Sequence, residues 1–217
     1  MKIKAVGITN LTDARYFAAQ GAEWMHFDFR ITSPFYIESA NAEAIMNWVD
    51  GIDFAGEWAT HDVDILNQNL RDTHIKAVQI GEDFPIENIP LIEADTVFRK
   101  IFVFEYIDSE ALQKRIDIGQ LNSEIHHSKR VITEIIFPKN GFHGWFGGDK
   151  PTNFAVLKHL TEKFSVSLDI NFNKNDWMQL KQLDLYALCL HGGEEEQVGI
   201  KSYEALDNIF DALSIYD

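Results

Sequence analysis

Residues 2–10, Lys2-Ile3-Lys4-Ala5-Val6-Gly7-Ile8-Thr9-Asn10, set the reading of everything that follows. A short apolar run that ends on Gly7 and enters a helix directly has the character of a buried strand. Thr12 or Asp13 is placed to cap that helix, Ala14, Ala18 and Ala19 suit close packing on a sheet, and Gly21 is placed to end it. Strand and helix then alternate. Strands are expected at Trp24–Phe29, Ile52–Trp58, Ile75–Ile80, Thr96–Phe104, Arg130–Phe137, Ser165–Ile170 and Tyr186–Leu190. Between them, helices are expected at Ala42–Val49 with Asn41 as cap, from Asp62 toward Arg71, and in a short proline-interrupted segment, Pro85–Ala94. Later helices begin at Asp108 or Ser109, with a less regular stretch at 118–128 behind, and at Pro151, then span Asp176–Leu183 and Tyr203–Leu213. Pro138–Lys150 carries Gly141, Gly144, Gly147 and Gly148 among aromatics, shows neither period, and is expected as a long loop.

Eight strands alternating with eight helices require parallel strands joined by crossovers. A closed (β/α)8 TIM barrel, an α/β fold with residues 1–217 as a single domain, is the economical solution. The rival is an open doubly wound sheet, whose G-x-G-x-x-G fingerprint is absent after the first strand.

Composition narrows the function classes. The 217 residues are 46% apolar and 24% charged, ordinary for a globular chain with one substantial core. No apolar run approaches the roughly 20 residues that span a bilayer, and no basic-then-apolar segment precedes the first strand, so neither a membrane span nor a secretory signal is expected. A lone Cys189 excludes an internal disulfide and a cysteine-based zinc site and fits a reducing cytoplasm. A formal charge of -15 argues against nucleic acid and anionic membrane as partners, because both are held through cationic surfaces. A small-molecule substrate, with the chain as monomer or homodimer, is the expectation that remains.

Lys4-Ala5-Val6-Gly7-Ile8-Thr9-Asn10 resembles the first-strand signature of the phosphoribosylanthranilate isomerase family, with Val6 where the family has its catalytic cysteine. Ser33-Pro34-Phe35-Tyr36-Ile37 is similar to the family's loop after strand two, with Phe35 at the substrate-contacting arginine. Val78-Gln79-Ile80 resembles strand four without its histidine. His191-Gly192-Gly193-Glu194 and Gly199-Ile200-Lys201 resemble the phosphate-binding segments after strand eight, whereas Asp169-Ile170-Asn171-Phe172 replaces the glycine pair after strand seven. Glu134 is the nearest match to the family's general-acid aspartate. The resemblance implies a barrel that performs an aminoaldose to aminoketose (Amadori) isomerisation in tryptophan biosynthesis, on a phosphorylated sugar derivative and without a cofactor.

Alternation along the strands supplies an independent reading. His26, Asp28 and Arg30 share one face of strand two opposite Met25, Phe27 and Phe29; Ser167, Asp169 and Asn171 share one face of strand seven opposite Val166, Leu168 and Ile170. The polar faces should line the lumen, joined by Lys4 and Val6, Glu57, Gln79, Glu134 and His191. Glu134, Asp28 and Asp169 are the candidate catalytic residues; Lys4, Gln79, Asn171, His191, Gly192 and Gly193 are the candidate substrate-binding residues. The three carboxylates would share a proton or take a hard divalent cation, although no residue is assigned as a metal ligand. Plainer roles stand beside these: Lys4 in an interior ion pair, His26 in the core, His191 in a turn, Glu57 and Glu105 toward loops, and Glu194-Glu195-Glu196 in a solvated loop. Three functional readings stay open, namely an isomerase whose base has moved, with Asp28 in that role; a barrel enzyme on another substrate; and a silent binding homologue.

Overall fold

The computed structural model describes residues 1–104, 110–116, 130–138, 141–146, 151–173, 175–197 and 200–214. The expectations for Glu105, for a helix start at Asp108 or Ser109, for 118–128, and for Gly147, Gly148 and Gly199 concern residues outside these.

Eight parallel strands close into a barrel in sequence order: β1 (Lys2–Val6), β2 (Trp24–Asp28), β3 (Asp53–Glu57), β4 (Ala77–Ile80), β5 (Thr96–Phe102), β6 (Arg130–Phe137), β7 (Val166–Ile170) and β8 (Ala187–His191). Closure runs through β1, which pairs with β2 on one side and over its whole length with β8 on the other, Lys2 opposite Ala187 through Val6 opposite His191. The helices α1 (Leu11–Ala19), α2 (Ser39–Met46), α3 (Val63–Thr73), α4 (110–116), α5 (Gly141–Phe146), α6 (Pro151–Lys163), α7 (Trp177–Leu180) and α8 (Glu204–Ser214) lie along the chain between and after them. A 3-10 turn at Ile86–Leu91 takes the place of a regular helix after β4, as Pro90 demands. Phe17, Leu66, Leu160 and Phe210 pack with the outward strand residues Ala5, Phe27, Val78 and Leu188 in the core between helices and barrel.

Local chemistry sets the element ends, not always through the expected residue. Asn10, rather than Thr12 or Asp13, caps α1 by accepting the Asp13 N–H at 2.9 Å. Glu38, not Asn41, stands at the cap of α2. Asp62 caps α3 as its position implies, accepting from the N–H groups of Asp64 and Ile65. The stretch after Pro138 is not all loop: Phe142, Trp145 and Phe146 repeat at helical spacing and bury the face of α5 on Phe137 and Phe154. The acidic run Glu194–Gln197 is likewise not a loop but a strand (β9), paired antiparallel with β10 (Ile200–Ser202).

Inside the barrel, Trp24, Ala55, Ala77, Phe98 and Ile132 form an apolar layer with Tyr186 toward the N-terminal ends of the strands. Above it the lumen is charged. Lys4, with no exposed surface, donates to Gln79 Oε1 and pairs with Glu134 Oε2, its ammonium 4.0 Å from the centre of the Phe98 ring. Removing one partner of such a pair leaves a buried charge uncompensated, at a cost of about 3–5 kcal/mol, whereas replacing both with apolar groups is often nearly neutral. Lys4→Met is therefore expected to destabilise the fold by about 3 kcal/mol or more. Lys4→Met with Glu134→Leu should recover most of that loss in urea titrations; a double variant no more stable than the single one would show that the pair is not the energetic unit.

Candidate functional site

The C-terminal ends of the strands carry two groups of polar side chains, and the charges pair off before any ligand arrives. Asp28 is 2% exposed and accepts both Nε (2.9 Å) and a terminal nitrogen (2.6 Å) of Arg30, together with the Arg30 backbone N–H. Burial alone would raise its pKa, but Arg30 and Ser33 outweigh that and hold the carboxyl at about 2. With its carboxyl held low and both oxygens engaged by Arg30, Asp28 is poorly placed for the role of relocated base.

Glu57 is the centre of the first group. It points into the lumen, not toward a loop, and is 4% exposed. Its Oε1 forms an ion pair with Arg30 at 2.7 Å and accepts from Lys100, and its Oε2 lies 3.3 Å from Gln79 Nε2 and 3.4 Å from His26 Nε2. Neither ring nitrogen of His26 has a well-formed hydrogen bond, and burial lowers its pKa despite Glu57, which keeps the ring neutral. Gln79, bridging Lys4 and Glu57, lines a cavity of about 520 Å³ over β2 to β5, where Lys100 also lies. Lys100 was not legible as a site residue because Arg99 and Lys100 are adjacent cations on opposite faces. Arg99 points outward to the carbonyls of Arg115 and Glu82.

The second group sits over β7, β8 and β1. His191 Nε2 lies 3.2 Å from Asp169 Oδ1 on the partly exposed rim of the barrel. Burial acts to lower the His191 pKa, but the hydrogen bond and charge of Asp169, with a contribution from Glu134, raise it above the ordinary 6.5. Glu134 lies deeper, 1% exposed, paired with Lys4 and 3.4 Å from the Cys189 thiol. Burial and Glu134 push that thiol well up, so Cys189 is no thiolate and does not replace the family's cysteine. Phe35 closes one side of this group. Its ring lies 5.8 Å from the His191 ring and so near Gly7 that a Cβ there would be 2.9 Å away; Gly7, at φ +67°, satisfies both demands.

Asp28, Glu134 and Asp169 therefore do not act as one cluster: their partners are Arg30, Lys4 and His191 respectively. Among the described residues no group of three or more His, Cys, Asp and Glu side chains is arranged to hold a metal ion.

Asn171, Gly192 and Gly193 line a second cavity, of about 360 Å³, against α8, to which no described Lys or Arg side chain contributes. Asn171 is exposed, and its carbonyl accepts the Phe142 N–H. The Gly193 N–H points instead at Asp13 Oδ1, 3.3 Å away, and a Cβ on Gly192 would lie 2.5 Å from Asp13 Oδ2. Asp13, a residue expected only as a cap, is 2% exposed and is held by Asn10, by Lys201 and by the Tyr203 hydroxyl at 2.7 Å. Burial opposes ionisation, but Lys201, Tyr203 and Asn10 together lower its pKa.

The sequence matches no protein-family model and no curated protein. Three-dimensional comparison does find similar structures. Phosphoribosyl anthranilate isomerase from Thermotoga maritima superposes with a TM-score of 0.72 at 19% identity, covering 99% of each chain. The enzyme from Thermus thermophilus gives 0.71 at 19% identity over 100% of each. A phosphoribosyl anthranilate isomerase in complex with reduced 1-(o-carboxyphenylamino)-1-deoxyribulose 5-phosphate gives 0.73 at 18% identity, covering 99% of this chain and 98% of that one. At these identities the likeness shows a shared fold.

Two measurements follow, one from the Asp169 carboxylate at the rim and one from the buried Asp13 network. Inorganic phosphate should bind weakly by calorimetry and more tightly to Asp169→Asn, because a carboxylate near a dianion repels it by about 1 kcal/mol even when screened. Tight binding unaffected by that substitution would contradict the charge argument. Asp13→Asn should destabilise the fold by about 2 kcal/mol at neutral pH, through loss of a charge-assisted network. Because the folded pKa of Asp13 is lowered, its contribution is full above the ordinary carboxyl value of 3.8 and fades as pH falls through the lower folded value, so the two denaturation midpoints should converge in acid.

Proposed function

We propose that this chain is an acid–base isomerase acting on an aldose-type small molecule, of the aminoaldose to aminoketose kind, with His191 and Asp169 in place of the missing cysteine. The observation that carries the reading is lateral. Val6, at the cysteine position, is the register partner of His191 on the neighbouring strand, and both stand at the C-terminal end of the barrel. A catalytic group moved by one strand remains over the same lumen. The phosphoribosyl anthranilate isomerase structures support the choice of chemistry through the shared fold, and the lone Cys189 supports a reducing, cytoplasmic setting.

One imidazole suffices for both proton transfers. As the imidazolium, His191 gives its proton to the sugar ring oxygen while the C1–O bond breaks and the amine lone pair forms C1=N. The neutral imidazole then takes the C2 proton, and the C–H electrons form C1=C2 and neutralise the iminium nitrogen. This restores the imidazolium, and the resulting enol tautomerises to the ketose by exchanging its hydroxyl proton for one at C1. Asp169 orients the ring and stabilises its charged form. Tryptophan biosynthesis is the pathway this chemistry would serve if the substrate carries anthranilate.

His191→Asn is expected to lower kcat/KM on N-ribosylanthranilate, with or without the 5-phosphate, by about 10²–10⁴-fold. The protonated ring starts the reaction, so activity should fall as pH rises through a value above 6.5, and Asp169→Asn should move that fall to lower pH. Full turnover by His191→Asn would remove the reading. Val6→Cys alone should not give the rate of an ordinary isomerase, because Phe35 and the Asp169 to Phe172 segment are also altered; rescue of an isomerase-deficient tryptophan auxotroph by that single change would show those positions matter less than the base.

A further inference from the structure

We propose that the cavity over β2 to β5 is a binding site for a neutral, unphosphorylated monosaccharide, held on its hydroxyls by Lys100, Glu57 and Arg30 and flanked by Trp58 and Phe102. The cavity, at about 520 Å³, falls within the span of about 300–1,000 Å³ usual for small-ligand pockets. It lies across the barrel from His191, over strands that the acid–base pair does not use.

The floor is polar but locally balanced. Arg30 and Lys100 are matched by Asp28 and Glu57, and Glu82 and Asp83 also line the cavity beside Arg115 and His61, so among the described residues an anion gains no unmatched cation there. The donors are nevertheless not exhausted. Lys100 is 5% exposed, and among the described residues its ammonium has one hydrogen-bond partner, Glu57, although it carries three protons. A buried ammonium with N–H groups that no described residue accepts, beside a fixed carboxylate and a fixed carboxamide, that of Gln79, presents donors and acceptors side by side. Adjacent hydroxyls, each donor and acceptor, satisfy such a floor; a single charged group does not.

The walls add an apolar surface. Trp58 is stacked on Phe29 at 4.9 Å and lies over Gly56, where a Cβ would come within 2.3 Å of the indole, so the glycine is what lets the ring lie there. Phe102 is stacked on Phe104 and remains 38% exposed at the cavity rim. Aromatic walls above a hydrogen-bonding floor suit the C–H faces and the hydroxyl edge of a sugar ring. The net charge of -15 adds a general bias against anionic ligands.

This site is separate from the proposed isomerase, whose aminoaldose would react at His191, and it does not rest on that reading. Calorimetry on the intact chain with D-ribose, D-glucose, D-glucuronate, ribose 5-phosphate and glycerol tests it without turnover. At least one neutral aldose is expected to bind one per chain, more tightly than glucuronate or the phosphate ester. Lys100→Gln and the rim substitution Phe102→Ala should each weaken that binding by about tenfold. His191→Asn should leave it unchanged, which separates this site from the isomerase reading. Failure of both neutral aldoses to bind, preference for the acidic or phosphorylated sugar, or binding indifferent to both Lys100→Gln and Phe102→Ala would each overturn the proposal.

Discussion

A closed barrel must fill its own lumen, and this one fills the middle of it with charge. Lys4, Arg30 and Lys100 are matched by Glu134, Asp28 and Glu57, three cations to three carboxylates, joined through Gln79 into one network that touches β1 to β6. Removing such groups from water costs several kcal/mol each, and the cost is offset only while every charge keeps its partner. This constraint explains the placement of the apolar layer of Trp24, Phe98 and Ile132 below the network, away from the loops that carry ligands. It also fixes closure. Lys4 can reach Gln79 and Glu134 only if β1 lies in the wall of a completed barrel, so the first strand is held by side-chain electrostatics as well as by its ladders to β2 and β8.

The same neutrality divides possible chemistry from support. Three acidic side chains at strand ends suggest a shared proton or a metal when read as a list. In space each has its own basic partner, Arg30, Lys4 and His191, so the three do not form one acidic cluster. The Asp28 carboxyl is held down, at about 2. On the proposed reading the acid–base role at the mouth falls to His191, whose contact with Asp169 raises its pKa and leaves the ring on the rim.

Much of the architecture could be read from the chain because period and punctuation agreed there. β6 begins and ends where its apolar run does, Asp62 and Pro151 open their helices, and the run from Lys2 is the strand on which the barrel closes. The misreadings have physical causes. Glycines at 141 and 144 mask a helix whose burial pattern, at Phe142, Trp145 and Phe146, is regular. Asp13 looked like a cap because acidic residues favour first turns, yet its carboxylate turns inward to meet residues about 190 positions away, Lys201 and Tyr203. Lys100 was hidden by Arg99, since adjacent residues on a strand face opposite ways and a register error of one exchanges them.

A closed barrel implies that the first strand lies beside the last, but the register that sets Val6 opposite His191 was not legible in the sequence. Sequence motifs describe neighbours along the chain, whereas a barrel makes neighbours of its first and last strands. Position 6 and position 191 are remote in any linear reading and become register partners only on closure. If the chemistry proposed above holds, the absence of a cysteine at position 6 is a difference in one wall of the site that the adjoining wall can answer. In a barrel whose lumen charges are already matched, the groups free to answer are those at the rim with an unshared partner. The Asp169 and His191 pair meets that condition, while Asp28, Glu57 and Glu134 are tied to the cations that keep the interior neutral.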